Sequence, residues 1–371
     1  MASGFVKVGA TKASFEADGK MPVAVLGATG AVGQRMVQGL GGHPWFKVAS
    51  VVASERSAGK RYAEAVRWLL PTPIPADVAD LVVAPVDSEY PGRVAFSALD
   101  ADVAGPLEEA AARRGLLVVS NARNHRMVPD VPLLVPEINA DHLRLLEHQK
   151  QRFPSGGAIV TNPNCSTVGL AMALAPLQRS FGIEAVHVTT LQALSGAGYP
   201  GVASFDLMDN VIPHIGGEEG KLETEPLKIL GTLADGAESV APATFPISAS
   251  VHRVPVLDGH LESVAVRLAR PASIPEIAEA LASFTGEPQR LGLPTAPGKP
   301  IVVLPGEDRP QPRKDRDLGH GMTVSIGRIR EDKVLGIKMS VLVHNTIRGA
   351  AGAAILNAEL ILAGLRQKAV R

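Results

Sequence analysis

The sequence predicts an α/β fold in two parts: a doubly wound parallel sheet, then an α+β region whose sheet is mixed and largely antiparallel. Three observations predict it. Strand-like and helix-like segments alternate from Val23 to Cys165, the order of βαβ units. The first strand runs straight into Gly27-Ala28-Thr29-Gly30-Ala31-Val32-Gly33, a glycine-spaced turn that opens a helix. Beyond the segment after Cys165 the runs read as face-alternating strands, the last two joined as a hairpin.

Composition bounds the function. A chain of 371 residues buries a large core and suits two domains better than one. Lys plus Arg and Asp plus Glu balance at 37 each and aromatics are 4%, so nothing points to nucleic acid. One cysteine excludes an internal disulfide framework and suits a reducing compartment, the cytoplasm. No apolar run reaches membrane-spanning length, and the N-terminus lacks a signal-peptide core. Chemistry on a small-molecule substrate is the expectation, with no metal-ligand cluster in view.

Residues 1–20 carry little hydrophobic pattern and read as a disordered extension. Val23–Leu26 is the first strand. Gly27, Gly30 and Gly33 permit the tight turn and the close approach of backbone to phosphate at a helix N-terminus, with Thr29, Ala31 and Val32 between them. This is a Gly-x-x-Gly-x-x-Gly variant of the dinucleotide fingerprint of a Rossmann-type sheet, a pattern that a glycine-rich turn without a ligand also gives. The second strand, Lys47–Ala53, ends at Ser54-Glu55-Arg56-Ser57, where an adenosine ribose would lie. Ser54, Arg56 and Ser57 favour a 2′-phosphate and therefore NADP, while Glu55 argues the other way. Strands follow at Leu81–Val83, Val94–Ser97 and Leu116–Ser120, with a helix over Val103–Arg114. Asn124 and Arg126 follow the last of these strands, at the sheet edge where ligands of open α/β sheets sit.

Ile159–Thr161 reads as a buried strand, broken by Asn162-Pro163-Asn164, and an apolar helix runs on from Thr167. Cys165 thus occupies a strand-to-helix turn, where the positive end of a helix favours thiolate. A free cysteine is also a common core filler. Ala185–Gln192 is a strand leading into the glycine-rich Ser195-Gly196-Ala197-Gly198 loop. Glu218 and Lys221 share a helix face if helical. Ser248–Val256 is a strand carrying Arg253, and Gly259 marks a turn before His260. Strands return at Glu262–Leu268, Ile301–Leu304, Met322–Ile329 and Val334–Val343, with Gly286–Arg316 a long loop around one of them. The chain closes on an apolar helix, with Asn345 and Thr346 as cap candidates. The expected divisions are 1–20, a cofactor domain over 21–165, a second domain over 166–344, and a helix over 345–371 returning to the first.

Taken together, Gly-Ala-Thr-Gly-Ala-Val-Gly, Ala-Ser-Glu-Arg-Ser-Ala-Gly-Lys, Asn-Pro-Asn-Cys-Ser-Thr, Gln-Ala-Leu-Ser-Gly-Ala-Gly-Tyr-Pro-Gly, Asn-Val-Ile-Pro-His-Ile-x-Gly-Glu-Glu-x-Lys, Arg-Val-Pro-Val-x-Asp-Gly-His and Asn-Thr-Ile-Arg-Gly-Ala-Ala-Gly resemble the aspartate-semialdehyde dehydrogenases of archaea, fungi and some bacteria. The resemblance spans nearly everything from Val23 onward. It implies NADPH-dependent reductive dephosphorylation of β-aspartyl phosphate in threonine, methionine and lysine synthesis. It implies Cys165 as nucleophile, His260 as acid/base, Gln192 as orienter of the intermediate and Asn164 as an oxyanion donor. Arg253 matches the substrate-carboxylate clamp and Glu218 the ammonium partner. Lys221, Asn124 and Arg126 match the phosphate-binding set. The Gly27 loop, Ser54, Arg56, Ser57, Ser195–Gly198 and Asn345 match NADP contacts. A homodimer or homotetramer with a catalytic and dimerisation domain is implied as well. Two rivals stay open: a malonyl-CoA reductase with the same cysteine chemistry, and a non-catalytic NADP-sensing Rossmann protein.

Overall fold

A computed structural model describes residues 19–369; the expected extension over residues 1–20 lies outside them except for Gly19 and Lys20. The first sheet contains β1 (Met21–Leu26), β2 (Phe46–Val52), β3 (Val94–Ser97), β4 (Leu117–Ser120) and β5 (Ala158–Thr161). Its order is β2-β1-β3-β4-β5, every pairing parallel. β1, β3, β4 and β5 are buried along their whole length, as a parallel sheet covered on both faces requires. Helix α1 (Ala31–Leu40) follows β1, and α2 (Ala101–Arg113) follows β3.

One expected strand is missing. Leu81–Val83 and the adjoining Ala84 make only isolated bridges, Arg61 to Val82 and Val52 to Ala84, beyond the β2 edge. Val83 is buried and Val82 is 62% exposed, so the run packs one side on the core, but its backbone bonds go mainly to Gly59, Lys60 and Tyr62 rather than along β2. Pro85 then removes the next ladder donor.

Helix α3 (Cys165–Phe181) starts two residues before the expected Thr167, because the Asn164 side chain caps it through the N–H groups of Ser166 and Thr167. It is buried almost throughout and lies in the core of the second region. That region contains β6 (Ile183–Gln192), α4 (Glu218–Ile229), β7 (Ile247–Arg253), β8 (His260–Leu268), α5 (Ile274–Ala282), β9 (Ile301–Leu304), β10 (Val324–Asp332) and β11 (Gly336–Val343). The sheet order is β9-β10-β11-β8-β6-β7, with β9/β10 and β6/β7 parallel and the rest antiparallel.

Three local expectations change. The stretch 286–316 is not one long loop around a strand: it also carries short helices at Glu287–Leu291 and Pro312–Asp315. The β10–β11 turn comes later than expected, because the Asp332 carboxylate accepts the N–H groups of Val334 and Leu335 at 3.0 and 2.8 Å. Thr346 stands at the N-cap of the turn that leads into the last helix, without a side-chain cap hydrogen bond. The chain enters that helix through a π-type turn over Ile347–Ala351, and α6 (Gly352–Ala369) packs beside α1 in the core of the first sheet.

Candidate active site

Strand register assembles the site. Gln192 of β6 pairs with Arg253 of β7, and His260 of β8 pairs with Val343 of β11. Leu261 pairs with Leu191, so the neighbouring His260 lies across from Gln192. Opposed residues share a face, and Arg253, Gln192 and His260 therefore form one lateral row at the sheet end. Cys165, the first residue of α3, comes down onto this row. Its Sγ lies 3.1 Å from His260 Nε2.

The histidine's tautomer follows from its other nitrogen. Nδ1 lies 3.0 Å from the backbone N of Ala193, a group that only donates. Nδ1 therefore carries no proton, and Nε2–H points at the sulfur. Burial drives the imidazolium down to about 3, with Arg253 and His344 adding to the effect. Burial likewise pushes the Cys165 thiol up to about 12, reinforced by Glu218 and opposed by Arg126, Arg253 and Lys221. Burial thus favours the thiol and the neutral imidazole, working against the helix end that favours thiolate.

The charged groups form a connected cluster. Glu218 opens α4, accepting from Lys221 Nζ at 2.6 Å, Asn164 Nδ2 at 2.8 Å and Gln192 Nε2 at 3.4 Å. Burial opposes its ionisation, but Lys221, Asn164 and Gln192 outweigh that and hold it below the usual carboxylate range. Arg253 is buried, and its Nη1 donates to Ala193 O at 2.6 Å. Arg126 is buried and paired with Glu225 at 2.9 Å. Asn124 departs from the cluster: it is exposed, and its Nδ2 donates to Ala101 O at the start of α2.

Sequence reasoning misses Glu225 and Lys228. Both lie on α4 at positions that extend the Glu218–Lys221 spacing around the same face. It also misses Gly349, where a Cβ would sit 2.8 Å from the Cβ of Cys165. The π-type turn thus forms the wall behind the nucleophile.

The cofactor side is built from backbone. Gly27 adopts φ +75°, and a Cβ on Gly33 would lie 2.1 Å from Gly27 O, so neither position admits a side chain. Tyr62 Oη donates to Ala28 O and Gln34 Nε2 to Thr29 O, pinning the loop from below. No side chain caps α1 at Gly30 and no acid lies in its first turn, which leaves the N–H groups of Ala31, Val32 and Gly33 to face an anion. Ser54 and Arg56 are exposed at the end of β2, with Ser57 half-buried beside them. A cavity of about 520 Å³ joins Ala31 and Arg35 to Ser195, Gly198 and Thr346. These features fit a phosphorylated dinucleotide. Gly196 and Ala197 sit exposed over the row: a Cβ on Gly196 would lie 3.0 Å from Arg253 Nη1 and 3.2 Å from His260 Cε1. Asn345, which the resemblance implies as a cofactor contact, has two partners within the protein. It is buried, donating to Ser195 Oγ at 2.7 Å and accepting from Gly259 N at 2.9 Å. It ties the glycine-rich loop to the turn that carries His260.

Among the described residues, no group of three His, Cys, Asp or Glu is placed to hold a metal, and no helix is long and apolar enough to cross a membrane.

Two family models match the chain: "Semialdehyde dehydrogenase, NAD binding domain" over residues 22–146, and "Semialdehyde dehydrogenase, dimerisation domain" over residues 174–348. The chain is 51% identical over 343 residues to the aspartate-semialdehyde dehydrogenase of Methanothermobacter thermautotrophicus, covering 91% of this chain and 98% of that one. The crystal structure of aspartate semialdehyde dehydrogenase with NADP from Candida albicans superposes with a TM-score of 0.86 at 45% identity, covering 93% and 99% of the two chains. Aspartate semialdehyde dehydrogenase II complexed with ASA from Vibrio cholerae superposes with a TM-score of 0.70 at 26% identity, covering 92% and 98%.

Proposed function

The chain belongs to the aspartate-semialdehyde dehydrogenase family, and on that premise we propose that Cys165 carries its reaction as a covalent nucleophile. The reaction is the NADPH-dependent reductive dephosphorylation of β-aspartyl phosphate to aspartate semialdehyde, in lysine, threonine and methionine synthesis. The observation that supports the cysteine is the 3.1 Å contact between Cys165 Sγ and His260 Nε2, set within the buried charges of Arg253 and Glu218.

Arg253 receives the substrate α-carboxylate and Glu218 its ammonium, while Arg126 and Lys221 receive the phosphate. The sulfur of Cys165 bonds to the acyl carbon as the carbon–oxygen bond to phosphate breaks. The thiol proton leaves on the phosphate, so a resting thiol needs no protein base. NADPH, when bound, supplies the hydride that the thioester carbon takes up. Cys165 is then expelled as thiolate while the aldehyde carbonyl forms, and the sulfur takes a proton from solvent. His260 donates Nε2–H to the oxyanion of each tetrahedral state. Gln192 and Asn164 hold Glu218 in place and border the same oxyanion. Ser54, Arg56 and Ser57 receive the 2′-phosphate that distinguishes NADP.

A second copy of the chain fits the outer face of the second sheet, where Leu191 is 37% exposed and His187, Ser248 and Ser263 are uncovered. We assign the protein to the cytoplasm, where a lone thiol stays reduced.

The test runs the reaction backwards. Aspartate semialdehyde and NADP without phosphate should give one burst of NADPH per site and an acyl adduct on the Cys165 peptide. Added phosphate should restore turnover. Turnover by Cys165→Ala, or a burst without an adduct, sinks the covalent reading.

A further inference from the structure

The buried carboxylate of Glu225 joins two parts of the site. One oxygen accepts from Arg126 Nη1 at 2.9 Å, and the other accepts the backbone N–H of Asn164 at 2.6 Å. Asn164 is the cap of α3 and directly precedes Cys165. Arg126 also donates through Nη2 to Asn121 O at 2.7 Å, which leaves its buried Nε without a partner among the described residues. A buried guanidinium with one donor to spare is suited to an anion. One turn further along α4, Lys228 Nζ donates to the carbonyls of Arg126, Val128 and Val131 at 2.8, 2.8 and 2.9 Å. The same helix therefore fixes both the backbone and the side chain of the arginine.

We propose that Glu225 is a positioning residue that holds the phosphate-binding arginine and the nucleophile's backbone in one fixed relation, so that an anion at Arg126 and the sulfur of Cys165 are aligned together. The proposal rests on the reading of Arg126 as a phosphate ligand. Its geometry is specific to a carboxylate. An amide at this position presents one acceptor and one donor, and the donor would face either a guanidinium or an N–H.

Glu225→Gln tests it in the phosphate-dependent oxidation of aspartate semialdehyde by NADP. Removing the charge beside Arg126 should lower the KM for phosphate by about threefold or more. Loss of alignment should lower kcat by about tenfold or more, with the KM for aspartate semialdehyde within about twofold of wild type. A phosphate-dependent wild type with an unchanged phosphate KM in Glu225→Gln overturns the proposal alone. A wild type indifferent to phosphate overturns the underlying reading as well. Should the variant not fold, a crystal structure of the wild type with inorganic phosphate decides. Phosphate on Arg126 with Glu225 still bridging to Asn164 N supports the proposal, and Glu225 released from either partner overturns it.

Discussion

His260 shows how one backbone group decides a chemical role. Because the Ala193 N–H occupies Nδ1, the ring is a fixed donor at Nε2 and a poor base. Removing one such oxyanion donor costs about 10²–10³ in kcat. We expect His260→Ala to lose about that much and His260→Gln, which keeps an N–H donor, to recover at least about tenfold of it. An acid/base histidine would leave both variants equally poor and would give kcat a limb near its ordinary pKa. Steady-state kinetics across pH separate the two. Glu262 offers a second test at this scale. It is fully buried on the strand of His260, both its oxygens lack partners among the described residues, and burial raises its carboxyl well above 4.5. A raised folded pKa stabilises below the unfolded value and costs stability as pH rises above it. Glu262→Gln should therefore raise the Tm by a few degrees at about pH 7.5 and leave it unchanged near pH 4. Equal melting shifts at both pH values would show that the carboxyl is not protonated in the fold.

At the scale of elements, α3 and the π-type turn meet at Gly349. A methyl group there would lie 2.8 Å from the Cys165 Cβ and 3.0 Å from its Cα, so the nucleophile must move. Gly349→Ala should cut kcat by about 10²-fold while cofactor affinity is kept, because misplacing a reacting atom by about an ångström has that effect. Titrating NADP binding alongside turnover checks it, and a variant with ordinary kcat would show that the turn yields. Elements also show why some of the site is legible in the sequence and some is not. The glycine loop, the β5–α3 turn and the Gly259 turn carry local signals, and Cys165 and His260 sit at them, with Arg253 at the end of the face-alternating strand that precedes the last of these turns. Glu225 carries none of its own, since an acid on a helix normally faces solvent. It becomes recognisable only once Asn164 and Arg126, distant in sequence, are seen on either side of it. Leu81–Val83 fails in the opposite direction: its composition is that of a strand, but its backbone pairs with the turn at residues 59–62 and leaves only single bridges.

Over the whole molecule, the chain crosses between the two sheets and then returns. The return is fastened by Arg348, whose guanidinium meets Glu137 in a buried bidentate pair at 2.8 and 2.6 Å. Leaving one partner of such a pair uncompensated costs about 3–5 kcal/mol. Arg348→Ala should lose that much in urea unfolding, while Arg348→Met with Glu137→Leu should recover much of it. Failure of the double variant to recover would place the effect in the turn rather than in the pair. The broad α/β architecture is legible because glycine spacing and strand alternation are local. The junction between the sheets is not, because it is made of contacts such as Arg348–Glu137 that span 211 residues.

The returning helix has a consequence for how the protein is made. Ala354, Ile355 and Ala358 fill the core beneath β1 and α1, and Gly349 walls the nucleophile. The core around β1 and β2 therefore stays open during synthesis until α6, made after both sheets, has been added. Cys165 acquires its finished surroundings only once the turn at Gly349 has followed it out of the ribosome. Until then a growing chain carries an idle thiol.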